Sequence, residues 1–115
     1  MATQFQNAYE NFRNSISLPE GDLMFATTVD NFSALSDIGS GMNYDVELYV
    51  AAHGDTQTTN TYYNPGDWDN PISASDILKL NPNIKDLTGC SSDGLVTSTQ
   101  LFDRWKNLLS SYLER

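Results

Sequence analysis

The chain has 115 residues, 39% hydrophobic and 11% aromatic, with six basic and fifteen acidic side chains and a net charge of −9. That length fits a single compact domain, 1–115, with a modest core. The charge opposes direct binding of nucleic acid or an anionic membrane and favours a basic partner, a cation or simple solubility. No lysine or arginine occurs between Arg13 and Lys79, whereas ten acids fall in that interval and the two ends nearly balance.

Residues 3–16 read as a helix. Thr3 and Gln6 have capping-box spacing, and Phe5, Tyr9, Phe12 and Ile16 form one aromatic stripe before Pro19 and Gly21 close the segment. Residues 23–29 are apolar and β-branched and read as a strand. Asp30 is placed to cap a short helix carrying Phe32, Leu35 and Ile38, ended by Gly39.

Tyr44, Val46, Leu48 and Val50 alternate with Asp45, Glu47 and Tyr49, which gives a strand with one apolar and one acidic face. His53-Gly54-Asp55 reads as a turn, with Thr56–Tyr63 returning as the second arm of a hairpin. Pro65-Gly66 marks a tight turn in the loop Asn64–Pro71. Ser73 and Asp76 suit the start of a short helix with Ile77, Leu78 and Leu80, which Pro82 stops. Residues 81–97 read as loop with a short strand at 95–97. The final helix, about 98–113, has Thr97 and Gln100 at capping-box spacing. Leu101, Phe102, Trp105, Leu108, Leu109, Tyr112 and Leu113 form its wide apolar face.

Chemistry is sparse. His53 is the only histidine and Cys90 the only cysteine, so no intrachain disulfide and no cysteine metal cluster can form. A nucleophilic site would have to use His53 with Asp55 and Cys90 or a serine, yet no Gly-x-Ser-x-Gly elbow or basic neighbour marks one. Asp67, Asp69 and Asn70 put oxygen ligands in one short turn, but the calcium loop with its downstream glutamate is missing. No cofactor, catalytic residue or metal site is assigned, and the chain is expected not to be an enzyme. Met1–Gln4 lacks the basic and apolar parts of a signal peptide. The protein is therefore expected to be soluble, either cytoplasmic or incorporated in a virion.

Tyr49-Val50, Gly54-Asp55-Thr56 and then Ile77-Leu78-Lys79-Leu80-Asn81-Pro82-Asn83-Ile84 resemble the opening and middle of a LysM module across about residues 49–97. The resemblance implies a small βααβ fold that binds glycans. The chain departs from that family at Gln57–Thr61, where its first helix would fall, and has Asp93-Gly94-Leu95 only loosely in place of its Pro-Gly-Gln ending.

The expected architecture is α+β: a small antiparallel sheet, with its central hairpin at about 44–63, packed against amphipathic helices from the two ends. The expected role is a non-catalytic protein-binding or assembly module of phage-accessory type, with homo-oligomers within its scope. Its surface would comprise Asp45, Glu47, Tyr62, Tyr63, Asp67, Trp68 and Asp69, with Asp45 and Glu47 about 6.8 Å apart on one strand face. The alternatives are an acidic inhibitor that mimics nucleic acid in a basic groove, and a LysM-like glycan-binding module.

Overall fold

The aromatic stripes at the two ends become helices. A computed structural model describes residues 2–41, 45–55, 57–58, 60–89 and 98–114. Helix α1 spans Ala2–Ser15 and helix α3 spans Ser98–Leu113, and they belong to one compact unit, residues 1–27 with 96–115. Phe12 is the contact that fixes this pair. Its ring meets Phe102 and Trp105 edge-on at centroid distances of 6.5 and 5.9 Å, within the range where such pairs are favourable. Ala8, Leu101 and Leu109 complete the buried seam. Because α1 begins at Ala2, Thr3 lies inside it, and Gln6 donates to Glu10 instead of reaching back to a cap. Thr97, the expected cap of α3, lies outside the described residues.

The second unit, residues 28–95, holds a four-stranded sheet in the order β3-β2-β1-β4. Its strands are β1 Leu48–Gly54, β2 Thr61–Tyr63, β3 Ile72–Ser73 and β4 Ile84–Gly89, and helix α2, Ala74–Leu78, leads into β4. The α+β class holds. The sheet, however, is mixed rather than antiparallel, because β1 pairs parallel with β4 and antiparallel with β2. β4 falls where only loop was expected, and the expected strand at 95–97 lies outside the described residues.

The hairpin is displaced from its expected register. Tyr44 lies outside the described residues, Asp45–Glu47 precede β1, and His53 and Gly54 are strand residues rather than turn. The local chemistry explains the shift. Asp55 accepts the Gln57 N–H in an Asx turn, so the chain reverses after Asp55, and Asn60 takes a φ of 58° before β2 begins. With no apolar side chain to bury between Gln57 and Asn60, the returning arm shortens to three residues. The order of the described elements over 48–89 is strand, strand, strand, helix, strand, which differs from that of a βααβ module.

One sheet face builds the core. Val50, Ala52, Tyr62, Ile72 and Leu87 share it and pack with Ile77 of α2 and with Phe32 and Leu35. The last two lie on a 3-10 helix, Phe32–Asp37, capped by Asn31 rather than Asp30, since the Asn31 side chain accepts the Ser33 N–H. Two buried asparagines fasten this helix. Asn64 Oδ1 accepts the Phe32 N–H at 2.7 Å, and Asn81 Nδ2 donates to the Leu35 and Ile38 carbonyls at 2.7 and 2.8 Å. Gly89 lies opposite Ala52, and a Cβ built there would overlap the Ala52 carbonyl oxygen, so only glycine permits that approach.

The segment Leu23–Val29, expected as a strand, has no regular structure, and both Leu23 and Phe25 are exposed. High β-propensity does not suffice by itself, and among the described residues no strand pairs with this segment. No helix among the described residues is long and apolar enough to cross a membrane.

Candidate functional site

The sheet alternation that buries Tyr62 turns Tyr63 to the opposite face. Tyr63 is paired with His53 across β1 and β2, so both side chains stand on that second face. The Asn64–Asp67 turn then carries the chain back over them. Asp67 N–H donates to the Asn64 carbonyl at 3.0 Å, and Gly66 takes a φ of 75°, the geometry that a Pro-Gly turn requires. Trp68 follows directly. Its ring meets His53 at 5.0 Å and 87°, and Tyr63 at 5.7 Å and 70°.

Trp68 is nonetheless 55% exposed, the most exposed aromatic side chain of this unit among the described residues. Around it, the Tyr63 hydroxyl donates to Asp55 Oδ2 at 3.2 Å, and Asn70 Nδ2 donates to Asp67 Oδ1 at 2.9 Å. The Gln57 N–H, helped by the Tyr63 hydroxyl, holds the Asp55 carboxyl below the usual carboxylate range. Burial, reinforced by that carboxylate, pushes the Tyr63 phenol up. Desolvation pushes the His53 imidazole down, favouring its neutral form under the indole.

The expected surface residues therefore separate into three places. Tyr63, Asp67, Trp68 and Asp69 gather at one end of β1, joined there by His53 and Asp55. Asp45 and Glu47 precede the other end. Asp55 lies eight positions after Glu47, on the order of 25 Å of extended chain, so the two acidic groups do not form one continuous ridge. Glu47 takes a hydrogen bond from the Tyr49 hydroxyl at 3.4 Å. Tyr62 is buried at 9% exposure among core residues and offers no contact surface. The reason is parity: neighbouring residues on a strand face opposite ways, so Tyr62 and Tyr63 cannot serve the same surface.

Two chemical possibilities are affected by these contacts. Asp55 spends its carboxylate on Gln57 and Tyr63 and does not orient the His53 imidazole, while Cys90 lies outside the described residues. The Asn70 amide turns its nitrogen toward Asp67, and no group of three or more His, Cys, Asp and Glu residues able to hold a metal occurs among the described residues. Missing from the sequence reading were His53 as an aromatic partner of Trp68 and Asp86 as a buried carboxylate on the His53 face of β4, opposite Tyr49. Both depend on cross-strand register, which no local pattern announces. No protein-family model, no curated protein and no solved structure matches this chain.

Proposed function

We propose that this protein is a non-catalytic binding module that docks a basic segment of a partner protein on the Trp68 end of its sheet. The observation that carries the reading is the exposed Trp68 ring, braced edge-on by His53 and Tyr63 and bordered by Asp55, Asp67 and Asp69. A braced indole loses little rotamer entropy when a partner covers it, and its free face attracts a lysine or arginine head group by cation–π attraction. The neighbouring carboxylates add charge complementarity, which raises the encounter rate and selects against acidic partners. Within this role the chain serves as an assembly component of phage-accessory type, soluble in the cytoplasm or carried in a virion. Because the acidic groups stand at opposite ends of β1, the nucleic-acid-mimic reading gains no support from a continuous negative ridge.

The test uses a fluorescent peptide alternating Arg and Gly, titrated by anisotropy against wild type, Trp68→Ala, and Asp67→Asn with Asp69→Asn. Trp68→Ala is expected to weaken binding by about tenfold or more, in the range of a desolvated cation–π contact. The double Asn variant is expected to flatten the salt dependence. Equal affinity for wild type and Trp68→Ala would remove the proposed centre.

A further inference from the structure

The aromatic rings at the Trp68 end are closed against one another. An aromatic box that encloses an ammonium turns the faces of its rings toward one central space. Here the rings meet edge to face, Trp68 with His53 at 5.0 Å and 87° and with Tyr63 at 5.7 Å and 70°. In such a pair the rim of one ring fills the space over the face of the other, so no slot is left between them for a cation. What stays open is a plate, the solvent-exposed side of the Trp68 indole.

The carboxylates beside that plate are unequally committed. Asp55 Oδ1 takes the Gln57 N–H, and Asp55 Oδ2 takes the Tyr63 hydroxyl. Asp67 Oδ1 takes the Asn70 amide. Asp67 Oδ2 and both oxygens of Asp69 accept no hydrogen bond and join no ion pair among the described residues. Asp67 and Asp69 are the immediate chain neighbours of Trp68, and the nearest base along the chain, Lys79, lies 4.0 Å from Asp76.

A plate with uncommitted carboxylates beside it separates the two basic side chains. A guanidinium is flat and carries its five N–H donors in its own plane, so it lies on an indole with its donors directed outward to the rim. An ammonium spreads three donors in a cone and is more strongly hydrated. Laid on the same ring, it turns only part of them toward carboxylates and loses more solvation. We infer that the Trp68 surface is arginine-selective: an arginine of the partner protein stacks on the indole and donates to Asp67 and Asp69, where lysine and trimethyl-lysine bind more weakly. Arginine selectivity presupposes the docking role proposed above and narrows its partner from a basic segment to an arginine-bearing one.

Three fluorescent peptides of equal length and charge test this, alternating Gly with Arg, with Lys or with trimethyl-lysine. Each is titrated by anisotropy against wild type and Trp68→Ala at low and high salt. The arginine peptide is expected to bind wild type about fivefold more tightly than the lysine peptide, or better, the size of an exposed cation–π contact. Because the charges match, salt is expected to weaken both and leave their ratio unchanged. In Trp68→Ala the ratio is expected to fall to near one. Trp68 is exposed, and unchanged circular dichroism verifies that the variant stays folded.

Equal affinity of the arginine and lysine peptides for wild type, with Trp68→Ala weakening both, would overturn the selectivity and leave the docking role standing. A trimethyl-lysine peptide that binds more tightly than the lysine one would reveal an enclosing box and overturn it as well. So would an arginine preference that survives in Trp68→Ala. If no peptide binds, the selectivity and the docking role fall together.

Discussion

Asn81 is the residue whose replacement most directly tests how the second unit is held together. It is 3% exposed, and its side chain makes three hydrogen bonds: two donated to the Leu35 and Ile38 carbonyls, and one accepted from the Asn83 N–H at 2.9 Å. Asn81→Leu keeps the branching and the number of heavy atoms and strips all three. The Leu35 bond is buried and the other two are part-buried. At about 1–3 kcal/mol for each buried group left unpaired, discounted for the two that solvent can reach, the loss is about 2–4 kcal/mol. Against the roughly 5–15 kcal/mol of a small domain this is large, equivalent to a fall in Tm of roughly 10–30 °C.

Asn81→Asp sharpens the test. It keeps the acceptor for Asn83 but sets a negative charge against two carbonyls, which raises the carboxyl pKa in the folded state. A raised carboxyl pKa means that the variant is least impaired below the unfolded value of about 3.9 and loses stability as pH rises past it. Urea denaturation followed by circular dichroism at pH 4 and pH 7 measures both effects. A ΔΔG for Asn81→Leu below about 0.5 kcal/mol, or an Asn81→Asp deficit independent of pH, would show that these bonds do not fasten the 3-10 helix.

Two further outcomes follow from the same geometry. Gly89→Ala puts a Cβ into the Ala52 carbonyl, so β1 and β4 must part at that end; a loss of about 1–3 kcal/mol is expected in denaturant titration, and a neutral result would refute the Ala52–Gly89 pairing. Tyr63→Phe removes a donor from Asp55, so its carboxyl moves up toward 3.8 while the Gln57 N–H keeps it lower than that. A depressed carboxyl contributes stability above the unfolded value and loses it as pH falls through the folded one; the variant's stability is therefore expected to fall less steeply in acid. Carbon-13 titration of Asp55 reads the shift directly, and an unmoved value would exclude the Tyr63 bond.

Much of the fold was legible where the signals are local. The Phe12 stripe, the apolar face of the last helix, the Ser73 cap and the Pro65-Gly66 turn all act within four residues, and each appears in the structure. The site was half legible. Tyr63 and Trp68 stood out as aromatics beside a turn, but nothing in the sequence separates Tyr62 from Tyr63 until the parity of β2 is known.

β4 is instructive because its pattern misleads. Leu48 pairs with Ile84 and Tyr49 with Asp86, so Lys85 is an extra residue in a bulge. The bulge lets Ile84 and Leu87, three apart, both reach the core, which breaks the two-residue alternation by which a strand is recognised. Leu23–Val29 shows the converse: it has the composition of a strand but, among the described residues, no partner strand.

Composition, charge segregation, helix faces, the Ser73 cap and the Pro65-Gly66 turn were therefore determined by the sequence alone, because each rests on residues a few positions apart. Which segments became strands, which edges paired in parallel, and which aromatic of a Tyr-Tyr pair met Trp68 were decided only in the tertiary structure. Those outcomes depend on hydrogen-bonding partners up to about forty residues away in the chain, and register, once chosen, assigns every side chain to the core or to the surface.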